Sequence, residues 1–145
     1  MTKLLDVNVL VALAWPNHVH HAAAHHWFRA NRDGGWATCP LTESGFVRIS
    51  SNRRAIPEAC APRDAIRLLE RIRAVNGHVF WADDISPVDP LWTPFARVVG
   101  YRQITDAHLL ALAIRHGGQL ATFDRRLAEL AAGDCQDVLE VVGIE

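Results

Sequence analysis

Short apolar segments alternate along this chain with longer stretches of helical periodicity, and that alternation constrains the fold more than any other feature. Lys3 to Leu5, Trp36 to Cys39, His78 to Trp81, Leu120 to Thr122 and Val138 to Val142 read as buried strands. Between them, helical patterns run from Val7 to Trp15, from about Val19 to Arg32, from about Thr42 to Ser51, from Pro62 to Val75, from Thr105 to His116 and from Arg125 to Ala132. In the fourth of these, Ile66, Leu69, Ile72 and Val75 recur at helical spacing. Thr105 reads as an N-cap. Gly34-Gly35, Asn76-Gly77 and Gly117-Gly118 punctuate the pattern, and Pro87, Pro90 and Pro94 make the segment from Ala82 to Gly100 mostly loop. Strands separated by helices on short connections favour a parallel sheet covered on both faces. The expectation is therefore a three-layer α/β fold, a central parallel five-stranded sheet flanked by helices, as a single domain over residues 1–145. In such folds ligands sit beyond the carboxyl ends of the strands. Strand-to-helix junctions are where functional residues belong.

Composition narrows the class. Half of the 145 residues are hydrophobic and 21% are charged, which separates the chain from disordered and fibrous sequences. A net charge of −1 supplies no overall basic field for a polyanion. The positive charge is nonetheless almost all arginine, with Lys3 the only lysine, and Arg48, Arg53, Arg54, Arg63, Arg67, Arg71 and Arg73 fall close together. Arginine's planar fork grips phosphate, so this cluster, Arg48, Arg53 and Arg54 first, could hold a polyanion, and a solvated helix face accounts for it equally well. Cys39, Cys60 and Cys135 are odd in number and lack CxxC spacing, which fits a reducing cytoplasm rather than a disulfide framework. No apolar run approaches membrane-spanning length. The expectation is a cytoplasmic protein with no membrane partner.

Four acids occupy the expected junctions. Asp6 follows the first strand in Leu4-Leu5-Asp6-Val7-Asn8, and Asp124 follows the fourth in Leu120-Ala121-Thr122-Phe123-Asp124. Glu43 and Asp106 lie in the first turns of helices. Singly, each has a structural explanation as an N-cap or as a charge favoured by the helix dipole. Together they form a set whose mutual repulsion calls for a divalent cation. Hard oxygen donors suit Mg²⁺ or Mn²⁺, and a cation so held can activate a water for attack on a phosphodiester. This reasoning reaches metal-assisted phosphoryl chemistry and does not choose the substrate.

The segments Leu4-Leu5-Asp6-Val7-Asn8-Val9-Leu10, Thr42-Glu43-Ser44-Gly45-Phe46-Val47-Arg48, Thr105-Asp106-Ala107-His108-Leu109-Leu110 and Leu120-Ala121-Thr122-Phe123-Asp124 resemble the four acidic motifs of the PIN-domain family, in order and across essentially the whole chain. More narrowly, they are similar to VapC-type toxins of bacterial toxin–antitoxin pairs. The resemblance implies a Mg²⁺- or Mn²⁺-dependent endoribonuclease that cuts structured RNA such as tRNA or rRNA, forms a homodimer and is blocked by a cognate VapB-type antitoxin. It assigns catalysis and metal binding to Asp6, Glu43, Asp106 and Asp124, with Asn8 and Thr122 as the polar residues beside the first and last acids.

Other features compete. His18, His20, His21, His25 and His26 cluster, and His21 and His25 share a helical face, yet no acid stands among them; a polar helix face is the expected role. Asp83 and Asp84 follow the third strand but belong to a turn-forming stretch, and His108 reads as a surface or packed residue. The five tryptophans are expected to pack. Two rival functions stand: a small-molecule phosphatase using Asp6 as nucleophile, and a non-catalytic module that binds metal or protein.

Overall fold

In the computed structural model, which describes residues 1–143, five parallel strands form one sheet. The expected domain's last two residues, Ile144 and Glu145, lie outside the described residues. The strands are β1 (Lys3–Leu5), β2 (Trp36–Thr38), β3 (His78–Phe80), β4 (Gln119–Thr122) and β5 (Leu139–Val141), in the spatial order β3-β2-β1-β4-β5. Five α-helices flank them: α1 (Val7–Ala14), α2 (His21–Asn31), α3 (Pro40–Ser50), α4 (Pro62–Arg73) and α5 (Ile104–Arg115). The three-layer arrangement follows from strand geometry. Alternate residues point to opposite faces, so Leu5, Trp36 and Ala121 join a core beneath α1 to α4. Leu4, Ala37 and Leu120 join a second core beneath α5.

Two expected elements differ. The segment from Arg125 to Ala132 is a 3₁₀ turn over Arg125–Glu129 rather than an α-helix. Its three-residue period drives both Leu127 and Leu130 into the core. Thr105 is not the cap of α5, because the chain is already wound into a 3₁₀ turn over Tyr101–Gln103. There the Gln103 carboxamide oxygen accepts hydrogen bonds from the Val99 and Gly100 amides, at 2.7 and 3.1 Å. In α4 the buried stripe is centred on Ala65 and Leu69, leaving Ile66 exposed.

The order β3-β2-β1-β4-β5 reverses direction at β1, so the topological switch lies between β1 and β4. That is where an open parallel sheet leaves a crevice. Helices α1 and α3 approach closely beside it: a Cβ on Gly45 would stand 2.7 Å from Val7 Cγ2. Glycine at that position lets α3 settle against the start of α1.

Candidate active site

Asp6 ends β1 and caps α1, its Oδ1 accepting the Val7 amide at 2.7 Å. Its Oδ2 accepts the Thr122 hydroxyl at 2.8 Å. Thr122 is fully buried at the end of β4, and its Oγ1 also accepts the Asn8 side-chain amide at 3.0 Å and the Asp124 backbone amide at 3.1 Å. Asn8 Oδ1 in turn accepts the Phe123 amide at 3.2 Å. The two strand ends are thereby stitched together across the switch point. Asn8 and Thr122 stand beside Asp6, and both hold it in place. Replacing Thr122 by Val strands the Asn8 and Asp124 donors. A loss of about 1–3 kcal/mol is expected by urea unfolding, with Thr122→Ser close to wild type; an unchanged midpoint for Thr122→Val would contradict this role.

Three of the four sequence acids come together. Asp6, Asp106 and Asp124 line one pocket with Asn8. Burial drives the Asp6 carboxyl above its ordinary value, the Thr122 and Val7 hydrogen bonds work against that, and Asp124 adds repulsion. Asp106, half-buried in the first turn of α5, is pushed up to about 6, by burial first and then by the charges of Asp6 and Asp124. Among the described residues no hydrogen bond or ion pair engages the Asp106 carboxylate. Asp124 is held below the usual carboxylate range by the forked guanidinium of Arg126, at 3.0 and 2.9 Å.

Glu43 is not with them. Its Oε2 accepts the Thr38 hydroxyl at 2.6 Å and lies 3.4 Å from Arg73 Nη1. Thr38 Oγ1 accepts in turn from His78 Nε2–H at 2.7 Å. The rotation of α3 sets this. Thr42, Gly45 and Phe46 are the buried stripe, and at about 100° per residue Glu43 then faces α4 and β3 rather than the crevice. The sequence expectation of a converged quartet is thus corrected to a trio with Glu43 alongside. As placed, no three or more His, Cys, Asp or Glu side chains among the described residues are positioned to hold a metal ion.

The competing acids are accounted for. Asp83 accepts from His108 Nε2–H at 2.8 Å, and Asp84 pairs with Arg115, so both pin the loop after β3 onto α5. His21 and His25 donate to the Ala12 and Leu13 carbonyls at 2.7 and 2.9 Å, satisfying the open C-terminal end of α1. The sequence reading passed over Arg102 and Arg126, which border the aspartates. His18, expected with the other clustered histidines on a polar helix face, instead precedes α2 and lines their pocket. Only Arg126, two residues after Asp124, had a local signal in its spacing. Arg48, Arg53 and Arg54 are exposed, on the segment whose Ile49, Ala55 and Ile56 also line the pocket.

The PIN-domain family model matches residues 3–133. The chain belongs to the PIN-domain family. Within it, the relatives are VapC ribonucleases. The chain is 57% identical to ribonuclease VapC38 of Mycobacterium tuberculosis over 131 residues, covering 88% of this chain and 89% of that protein. It is 50% identical to ribonuclease VapC39 of the same organism over 139 residues, covering 96% of this chain and all of that protein. Ribonuclease VapC44, also from that organism, is 41% identical over 128 residues, 88% of this chain and 89% of its own length. This PIN domain is therefore a member of the VapC ribonuclease family, with the family's α/β architecture. Among the described residues, no helix is long and apolar enough to cross a membrane.

Proposed function

We propose that this PIN domain is an endoribonuclease toxin that uses Mg²⁺ or Mn²⁺ held by Asp6, Asp106 and Asp124, cleaves structured RNA such as tRNA or rRNA, and is silenced by a VapB-type antitoxin. The observation that carries the reading is Asp106, a half-buried carboxylate left without a partner and pressed against two like charges. Repulsion of that kind is relieved by a cation. The donor chemistry suits such an ion, since all three are hard oxygens, but as placed they are not close enough to share it and would have to draw together. Arg126, which competes for Asp124, has a side chain that is 86% exposed and holds it only by a surface pair. Glu43 would join the set only by swinging its side chain away from both Thr38 and Arg73 toward the crevice. When bound, the cation neutralises the carboxylates and makes water a competent nucleophile toward the phosphodiester.

The chain's own groups do the remaining work. Thr122 and Val7 fix the Asp6 carboxylate, so it is presented in one orientation. Arg102 and Arg126, which border the aspartates, and the exposed Arg48, Arg53 and Arg54 would grip RNA phosphates. The homodimer belongs to the same reading, and sedimentation of the purified protein tests it. The phosphatase alternative loses support, because both Asp6 oxygens are engaged and Lys3, the only lysine, is tied to Glu140 at 2.6 Å.

The test is cleavage of total RNA by purified protein, with sequencing of the ends. Cutting that requires Mg²⁺ or Mn²⁺, stops with a chelator and leaves 5′-phosphate and 3′-hydroxyl ends is expected. Asp6→Asn is expected to abolish it while circular dichroism stays that of the wild type. Undiminished cutting by a folded Asp6→Asn protein, or in chelator, would overturn the reading.

A further inference from the structure

The pocket that holds the aspartates extends into an apolar cleft that the chemistry above does not use. Val11, Ile49, Ala55 and Ile56 line it, His18 stands on its wall, and the whole pocket, aspartates included, is about 360 Å³. That volume lies within the range of small-molecule sites.

His18 is fixed there by the chain around it. Its amide donates to the Trp15 carbonyl at 3.0 Å, and its own carbonyl accepts the His21 amide at 3.0 Å, closing a tight turn after α1. Three ties hold that turn in place. Trp15 Nε1–H donates to Ser50 Oγ at 3.0 Å, and Asn17 Nδ2–H donates to Glu58 Oε1 at 2.9 Å. The His20 ring packs on Phe123, next to Asp124, at 5.0 Å. Within the turn, the His20 amide donates to His18 Nδ1 at 3.0 Å. An Nδ1 that accepts carries no proton, so the neutral ring has its single N–H at Nε2. Burial first, then His20 and His21, hold His18 below the ordinary imidazole value, which keeps that neutral form. Among the described residues Nε2 has no partner of its own. A rigidly mounted, uncharged donor beside an apolar slot fits a nucleobase, whose faces are apolar and whose edges carry acceptors. Arg53 and Arg54, exposed immediately before Ala55, suit the adjoining phosphates.

We propose that this cleft receives the nucleobase next to the cleaved phosphate, with Ile49 and Ile56 against its face and His18 Nε2–H donating to an acceptor on its edge. His18 is thus a specificity-determining residue of the ribonuclease reading, on which the inference rests. A built donor of this kind discriminates among bases by where their acceptors lie.

Two measurements test it. Cleavage of a random pool of short oligoribonucleotides is compared for wild type, His18→Ala and His18→Gln. His18→Ala is expected to raise KM about tenfold with kcat nearly unchanged, and to broaden the bases found at the cut site; Gln, which restores a donor near Nε2, recovers most of both. Equal KM and an unaltered cut-site distribution for His18→Ala would overturn the proposal, as would a loss confined to kcat that Gln fails to rescue. The second measurement leaves His18 intact: imidazole ¹⁵N spectra of the Asp6→Asn protein titrated with the same pool. The His18 Nε2 signal is expected to shift while that of exposed His26 stays put. Wild-type cleavage with an unmoved His18 signal removes this inference alone, whereas a wild type that cuts no RNA and a chain that binds none removes both readings.

Discussion

Asp106→Asn is expected to move activity and stability in opposite directions: RNA cleavage falls on the order of 10³-fold or more, while the metal-free protein melts at a higher temperature. The sign follows from the carboxyl's own equilibrium. Its folded value of about 6 lies above the 3.8 of a free aspartate. Between those values the folded chain binds more protons than the unfolded one, so stability is fully present below about 4 and is lost as pH rises through 6. At neutral pH the ionised side chain opposes folding, and an uncharged amide of the same shape removes that opposition. Allowing for the half of the carboxyl that water still screens, the gain is on the order of 1–2 kcal/mol, or about 3–6 °C in Tm. The gain should vanish at pH 4, and it should shrink for wild type against variant when Mn²⁺ is added, because the ion stabilises only the wild type. Scanning calorimetry at pH 4 and pH 7.5, with and without Mn²⁺, decides the matter. A variant that melts lower at pH 7.5 would show that Asp106 is paired in a way that the repulsion argument does not allow.

Trp36→Ala is expected to be the most damaging single truncation of the fold. Trp36 is 1% exposed in β2, which is hydrogen-bonded to β1 on one side and to β3 on the other. Its ring meets Phe28 edge-on at 5.2 Å and His78 at 4.7 Å, and its Nε1–H donates to the Asn76 carbonyl at 3.1 Å. Truncation removes the aromatic contacts, leaves a cavity between sheet and helices, and orphans that carbonyl. The expected cost is about 3–5 kcal/mol, a large share of the roughly 5–15 kcal/mol that holds a domain together. Trp36→Phe should cost much less, since most of the ring volume stays. Chemical denaturation monitored by circular dichroism gives both values, and a loss below about 1.5 kcal/mol for Trp36→Ala would mean that the surrounding helices collapse to fill the space.

Much of this was legible in the chain itself. The alternation of apolar segments and helical stretches gave the five strands, their parallel direction and the two covered faces, because a period of two and a period near 3.6 cannot be exchanged without exposing the core. The same pattern placed Asp6 and Asp124 at strand ends, and Asn8 and Thr122 beside them, since those positions follow from where each strand stops. The side on which Glu43 emerges was decided only in three dimensions. Burying Thr42, Gly45 and Phe46 turns α3 so that Glu43 meets Thr38 and Arg73, and no local spacing records that rotation. The Arg126–Asp124 pair is local, two residues apart in one turn, whereas His18 reaches the pocket only because the turn after α1 packs against distant elements. Periodicity fixes which face of an element is apolar; which polar group then stands opposite is set by how whole elements dock, and that is the work of tertiary contacts between residues far apart in the chain.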